Sequence, residues 1–242
     1  MSNFHSGVGW AGVIALIPAR DEAGTIGEVV RQVRQELDIR VVVISDASTD
    51  ATAELGRSAG ARVIDLPLQI GAWGATQTGI RYARRKGFER VVTLDADGQH
   101  DPASLPALLD AMRETGADVV IGTSPGRLSR AKRLAWAWFR MLTGLAVEDL
   151  TSGLRVYGPR ALPILASSEA TLLDYQDVGV LLLLRKYGLR IHEVPVTMHP
   201  RHEGKSRVFS SWFTVARYMT HTTLLCVARR GRLGSAPVAT AR

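Results

Sequence analysis

Five short apolar runs, at residues 13–17, 40–44, 62–64, 90–94 and 118–121, punctuate the first half of the chain, and the first four each lead into a segment with helical spacing. Strands alternating with helices at this interval restrict the chain to an α/β architecture with a mostly parallel sheet and helices on both faces. The helical segments are legible from their apolar periodicity. Ile26, Val29, Val30, Val33 and Leu37 fall on one stripe of a helix whose capping position is Thr25. A short helix is expected from about residue 51, and longer ones over 71–86 and 102–115. Pro18 is read as closing the first strand.

Polar residues gather after strands one, two and four, at the carboxyl ends where open α/β sheets bind their ligands. The fourth run is the most constrained, because Val91, Val92, Thr93 and Leu94 pass directly into Asp95-Ala96-Asp97-Gly98. If the strand continues, residues i and i+2 share a face, and two carboxylates there repel one another unless a cation or proton lies between them. A hard divalent ion, Mg²⁺ or Mn²⁺, suits such a pair, since these ions take carboxylate oxygens, keep waters and are completed by substrate phosphates. The alternative is a plain polar turn, which the same four residues also favour.

Composition narrows the partners. The 242 residues are 46% apolar and 22% charged, enough for one large domain, or one domain with an appendage. A single cysteine, Cys226, excludes an internal disulfide and a cysteine-rich zinc site, and fits a reducing cytoplasm. The formal charge of +7 points to anionic partners such as nucleotide phosphates or a membrane surface. Nucleic acid is disfavoured, because the basic residues accompany apolar surface more than exposed stacking aromatics. No run approaches the ~18 apolar residues of a spanning helix, and no basic segment precedes a short apolar run at the start, so neither membrane spanning nor secretion is expected.

Two motifs are set aside. Gly7-x-Gly9-x-x-Gly12 has the letters of a dinucleotide fingerprint but precedes the first strand, so its glycines cannot form the strand-to-helix turn. Gly204-Lys205-Ser206 ends like a P-loop, yet His199 stands at the place of the first glycine.

Taken in order, Ile17-Pro18-Ala19-Arg20-Asp21-Glu22, the polar knot at 45–50, Asp95-Ala96-Asp97-Gly98-Gln99 and Ser152-Gly153-Leu154-Arg155 resemble family 2 glycosyltransferases. The resemblance spans about residues 12–208 and is strongest to the dolichyl-phosphate mannosyltransferase and polyprenyl-phosphate glycosyltransferase branch. It implies a GT-A fold, a nucleotide-sugar donor, a divalent metal and inversion at the anomeric carbon. By position, Pro18, Arg20 and Glu22 would border the nucleotide and Asp46 would hold the base or ribose. Asp95, Asp97 and Gln99 would bind the metal, and Arg155 would belong to the catalytic set. The chain departs from the family where Ser45-Asp46-Ala47-Ser48 replaces a paired Asp-Asp, which leaves base preference open. Trp73 stands where a small residue is common, either stacking on a ligand or packing at a helix start.

The chemistry fits these parts. A nucleoside diphosphate leaves readily only if its developing charge is neutralised, by a cation at Asp95 and Asp97 and by guanidinium groups. Arg127, Arg130 and Arg133 follow strand five, and Arg201, Lys205 and Ser206 lie in a segment that resembles the family's R-x-x-G-x-S. The acceptor is ambiguous. A phosphate is already nucleophilic, whereas a hydroxyl needs a base. Asp177 is either that base, in a segment where Gln176 replaces the usual Glu, or, with Asp174, a favourable charge at a helix start.

Membrane contact is expected from two segments. Residues 127–145 mix Arg130, Lys132, Arg133 and Arg140 with Leu134, Trp136, Trp138, Phe139, Met141 and Leu142, the composition of an interfacial helix. From Arg201 onward eight Lys or Arg face one acid, Glu203, which suits an anionic leaflet at about 1 kcal/mol per nearby basic group. An ordinary cover helix or a dimer contact is the alternative. The expected organisation is a transferase domain over 1–208, an amphipathic helix over 209–230 and a disordered tail over 231–242.

The sequence therefore reads as a glycosyltransferase moving a sugar from GDP-mannose or a UDP-hexose to a polyprenyl phosphate at the cytoplasmic membrane face. Transfer to a hydroxyl of a glycan or lipid, with Asp177 as base, is the near rival. A non-catalytic nucleotide-binding partner is the third reading. The oligomeric state is not legible.

Overall fold

The computed structural model describes residues 10–124, 137–138, 140–141, 147–150, 152–173 and 178–199. Among these residues one sheet holds seven strands: β1 (Val13–Ala19), β2 (Arg40–Ser45), β3 (Arg62–Asp65), β4 (Arg90–Thr93), β5 (Val119–Thr123), β6 (Arg155–Tyr157) and β7 (Ile191–Pro195). The helices are α1 (Ile26–Leu37), α2 (Thr52–Ser58), α3 (Gly71–Arg85), α4 (Leu105–Thr115), α5 (Ala161–Leu165), α6 (Ser168–Thr171) and α7 (Val178–Lys186), with a 3₁₀ turn at Pro102–Ser104. The strand order is β3-β2-β1-β4-β6-β5-β7, parallel throughout except that β6 runs against both neighbours. The five expected strands and the mixed α/β layering are present. Strands β6 and β7, short and carrying Arg155, His192 and Glu193, were not expected.

The sheet is buried on both faces, so its strands read as continuous apolar runs. Ile14, Leu16, Val42, Ile44 and Val91 face a core shared with α3, α5 and α7. Val13, Ala15, Ile17, Val41, Val43 and Val92 face the opposite core with α1 and α4. All five apolar residues of the α1 stripe are buried in that second core.

Two local expectations are corrected. Pro18 does not end β1 but lies inside it, in register with Ile44. The β4 ladder stops at the Leu16–Thr93 pair, and Leu94 N–H donates to Leu16 O, so the main chain of Leu16, and of Pro18 two residues on, faces β4. The donor that proline lacks would have pointed where no partner remains. Thr25 occupies the N-cap of α1, but its hydroxyl donates to Glu22 O at 3.3 Å and makes no cap bond to the helix. The backbone of residues 22–26 is turned tightly enough that Thr25 and Ile26 N–H both reach Glu22 O.

Glu193 on β7 fastens the segment that leads into β6. Its carboxylate accepts Glu148 N–H at 2.9 Å and Asp149 N–H at 3.2 Å. Burial pushes the Glu193 carboxyl up, helped by the neighbouring Glu148 and Asp149 charges, although the two N–H donors oppose the rise. A folded-state value above the ordinary 4.5 means that the folded protein holds this proton more tightly than the unfolded chain. The contribution is therefore full at low pH and is lost as pH rises from that value through the folded one. Glu193→Gln removes the titration while Oε1 still bridges both N–H groups. The stability difference, variant minus parent, is expected to move in favour of the variant as pH rises above the ordinary 4.5 in urea unfolding. A difference independent of pH contradicts this account.

Candidate active site

The order β3-β2-β1-β4 reverses direction at β1, and the loops after β1, β2 and β4 meet at that carboxyl edge. The first two loops are laced together. Asp21 Oδ1 accepts Thr49 N–H at 2.8 Å, and Ser48 Oγ accepts Asp21 N–H at 3.2 Å. Thr52 Oγ1 accepts Glu22 N–H at 2.8 Å, and Asp50 Oδ2 accepts Ala23 N–H at 3.1 Å. Asp50 Oδ1 takes Thr52 N–H at 2.9 Å and is also bonded by the Thr52 hydroxyl. Burial raises the Asp50 carboxyl, but the Thr52 hydroxyl and the N–H groups of Thr52 and Ala23 outweigh it and hold the group below its ordinary range. Asp21 and Ala47 adopt positive φ, 50° and 52°, conformations that persist only where surroundings over-determine them. Sequence reading singled out Arg20, Glu22 and Asp46 here and missed Asp21, Ser48, Asp50 and Thr52, whose dense run of Ser, Thr and Asp was the available signal.

Arg20 is partly exposed, with Nε 3.7 Å from Asp21 Oδ2, and Pro18 and Glu22 are partly buried on the same rim. Asp46 is only 4% exposed, and its two oxygens accept Ile70 N–H at 2.7 Å and Gly71 N–H at 2.9 Å. It thus caps α3 from 24 residues away, satisfying donors that the helix start cannot satisfy itself. Gly71, at φ 81°, makes the chain reversal that brings both donors to one carboxylate. Trp73 is buried, donates from Nε1 to Ala170 O at 2.7 Å and belongs to the core; it is the packing alternative that holds.

The acid loop differs from an extended strand. β4 ends at Thr93, and Asp95-Ala96-Asp97-Gly98 forms a turn with Gly98 at φ 71°. Ala96 is buried in the α1/α4 core, and this anchors the turn while Asp95 stays half exposed and Asp97 partly exposed. Asp97 Oδ1 accepts Gln99 N–H at 3.1 Å, so the polar-turn reading and the metal reading describe the same residues. The far side is clamped: His199 N–H donates to Gln99 O at 2.8 Å, and His100 bridges to Met198. Asp101 caps the 3₁₀ turn through Ala103 N–H at 3.0 Å.

Because β6 is antiparallel to β4, with Thr93 opposite Arg155, the start of β6 lies beside the acid loop. Thr93 Oγ1 donates to Gly153 O at 2.9 Å. A Cβ on Gly153 would stand 2.4 Å from Asp95 Oδ1. Arg155 is fully buried. Its Nε donates to Ser152 O at 2.8 Å and its Nη2 to Leu150 O at 3.0 Å. Arg155, expected in the catalytic set, thus braces the main chain that leads into β6.

The hard oxygen donors of two partly open carboxylates, Asp95 and Asp97, fit a Mg²⁺ or Mn²⁺ ion that keeps waters and is completed by phosphates, although the described residues by themselves assemble no group of three or more His, Cys, Asp or Glu. Gln99 lies on the same loop, partly buried. Arg127, Asp177, Arg201, Lys205 and Ser206 lie outside the described residues, as do the segments 209–230 and 231–242.

Gly153→Ala tests the apposition. The obstructed atom is the end of a flexible side chain, so Asp95 swings aside at small cost to stability while its carboxylate leaves its place. A misplacement of about 1 Å costs about 100-fold in turnover. The expected result is that loss with a melting temperature close to the parent's; undiminished turnover contradicts the apposition.

Three comparisons bear on this geometry. Residues 14–163 match the model of Glycosyl transferase family 2. An undecaprenyl-phosphate mannosyltransferase from Micrococcus luteus is 31% identical over 81% of this chain and 87% of its own length. A dolichyl-phosphate hexose transferase from Haloferax volcanii is 34% identical, over 88% and 93%. Among solved structures, glucosyl-3-phosphoglycerate synthase from Mycobacterium tuberculosis, in complex with Mn²⁺, UDP-glucose and phosphoglyceric acid, superposes with a TM-score of 0.65 at 20% identity, covering 95% of this chain and 83% of that one. At that identity the likeness speaks to the fold, which is GT-A. Acids at the switch point, a sheet of this order and a family match over most of the described residues lead to one conclusion: the chain belongs to glycosyl transferase family 2 and is a GT-A glycosyltransferase.

Proposed function

We propose that this enzyme transfers a hexose from a nucleoside diphosphate sugar, GDP-mannose or a UDP-hexose, to a polyprenyl phosphate at the cytoplasmic face of the membrane. The observation that carries the reading is the acid loop at the carboxyl edge of β4, held from one side by Gly153 and from the other by the 198–199 segment. The names of the curated relatives, an undecaprenyl-phosphate mannosyltransferase and a dolichyl-phosphate hexose transferase, support the acceptor class.

In this scheme Pro18, Arg20 and Glu22 border the nucleoside, and Asp46 holds the α3 start against the same rim. Asp95 and Asp97, with Gln99, hold the cation. A bound Mg²⁺ or Mn²⁺ supplies Lewis-acid neutralisation of the leaving diphosphate. Arg127, Arg201, Lys205 and Ser206 share that charge from the segments that carry them. An oxygen of the acceptor phosphate attacks the anomeric carbon from the face opposite the leaving group. The new C–O bond forms as the bond to the donor's β-phosphate oxygen breaks, the configuration inverts, and a nucleoside diphosphate departs. The acceptor oxygen is already anionic and needs no base.

Surface chemistry is consistent with a lipid-borne acceptor. No helix of the described residues is long and apolar enough to cross a membrane. Trp138 and Met141, in the segment expected to lie at an interface, are helical and 44% and 65% exposed. Leu68 and Ile70, which lead into α3 on the carboxyl side of the sheet, are also exposed.

The decisive assay offers purified protein a panel of GDP- and UDP-sugars with Mg²⁺ or Mn²⁺, with and without polyprenyl phosphate in detergent. Donor consumption is expected only with the lipid phosphate present. Asp97→Ala is expected to abolish metal-dependent turnover; unchanged turnover removes the metal assignment. Asp177→Asn is expected to leave transfer to the phosphate acceptor intact, and its collapse moves the reading to a hydroxyl acceptor with Asp177 as base.

A further inference from the structure

His100 lies outside every role assigned so far, yet it is the most deeply buried polar side chain of the acid loop, at 3% exposure. Its Nε2 is 3.0 Å from Asp95 Oδ2. A carboxylate accepts, so the shared hydrogen sits on Nε2, an assignment made from the hydrogen-bond network. The other ring nitrogen, Nδ1, is buried and has no hydrogen-bond partner among the described residues. The backbone of His100 is fixed independently of its ring, through the bridge to Met198 and the neighbouring His199 N–H to Gln99 O bond. The imidazole therefore enters beneath the loop at a set angle and presents one donor to one oxygen.

An unpartnered buried nitrogen destabilises the fold, and an apolar ring or chain of similar size would avoid it. The place of a histidine here is explained by what Nε2 does. Asp95 is subject to two constraints: its carboxylate lies against Gly153, which leaves room for both oxygens, and His100 holds Oδ2. The bond to Oδ2 thereby limits the rotation of the carboxylate about its own side chain. We propose that His100 is a positioning residue, whose Nε2–H fixes the Asp95 carboxylate in the orientation that receives the divalent cation. Groups that orient a metal-binding side chain in this way change metal affinity by about 10- to 100-fold when removed. The inference rests on Asp95 being a donor to that cation, as in the proposed function.

The test reads metal binding directly. Free Mn²⁺ is titrated by its electron paramagnetic resonance signal against the full chain, alone and with UDP or GDP, and melting temperatures are recorded in parallel. Glutamine carries its amide nitrogen the same number of bonds from Cα as the histidine Nε2, whereas asparagine is one bond short. His100→Gln is therefore expected to keep parental Mn²⁺ affinity. His100→Asn and His100→Leu are expected to weaken it by about 10- to 100-fold. His100→Leu, which also removes the stranded Nδ1, is expected to melt at or above the parental temperature. A buried histidine that merely filled space would leave Mn²⁺ affinity unmoved in all three variants, and that result overturns the proposal. Equal affinities for Gln and Asn variants overturn it as well. If the parent and Asp95→Asn bind Mn²⁺ alike, the metal reading itself fails, and the two failures are told apart.

Discussion

The structure turns on one strand that runs the wrong way. β6 is three residues long and is inserted antiparallel between β4 and β5 in an otherwise parallel sheet. Its direction puts its beginning, and not its end, at the carboxyl edge where the acids lie. Burying Arg155 there would cost several kcal/mol if the guanidinium lacked partners. The carbonyls of Leu150 and Ser152 take its hydrogens, and the chain ahead of β6 must curl around it to provide them. Gly153 is carried in that curl to the face of Asp95. The buried charge, the register and the acid site are thus one arrangement.

The nucleotide-facing rim is built on the same economy of side chain for main chain. Loops after β1 and β2 have few backbone partners, so Asp21, Ser48, Asp50 and Thr52 supply them, each bonding across to the other loop or to the start of α2. Asp46 does the same for α3. Holding Asp50 below its ordinary range keeps its acceptor oxygens ionised further into acid than an unpaired aspartate's would be. A loop pair with its donors already satisfied loses little further freedom when a ligand arrives.

Much of this was legible. The α1 stripe, the strand runs and the placing of the acids follow from periodicities that any packed sheet must obey, and they appear where the apolar spacing put them. Legibility failed where a residue type has two uses. Thr25 sits at a helix start yet bonds backwards to Glu22. Asp46, expected against a nucleoside, also caps α3 with both oxygens, a use its sequence position did not show. Arg155, placed in the catalytic set by resemblance, is fully enclosed and bonds to main-chain carbonyls. His100 gave no periodic signal at all, since its neighbours Asp95 and Met198 are brought to it by a turn and by the exit of β7.

The sequence by itself determined the α/β layering, the order of the elements through α4, the family and the run of acids after the fourth strand, because apolar period and local residue chemistry are properties of a short window. Only the tertiary structure decided that Gly153 and His100 confine Asp95, that Glu193 fastens the approach to β6, and that Trp73 is core. Those contacts join residues that are distant in the chain or on different elements, and their geometry is set by strand direction and register, which depend on the whole sheet.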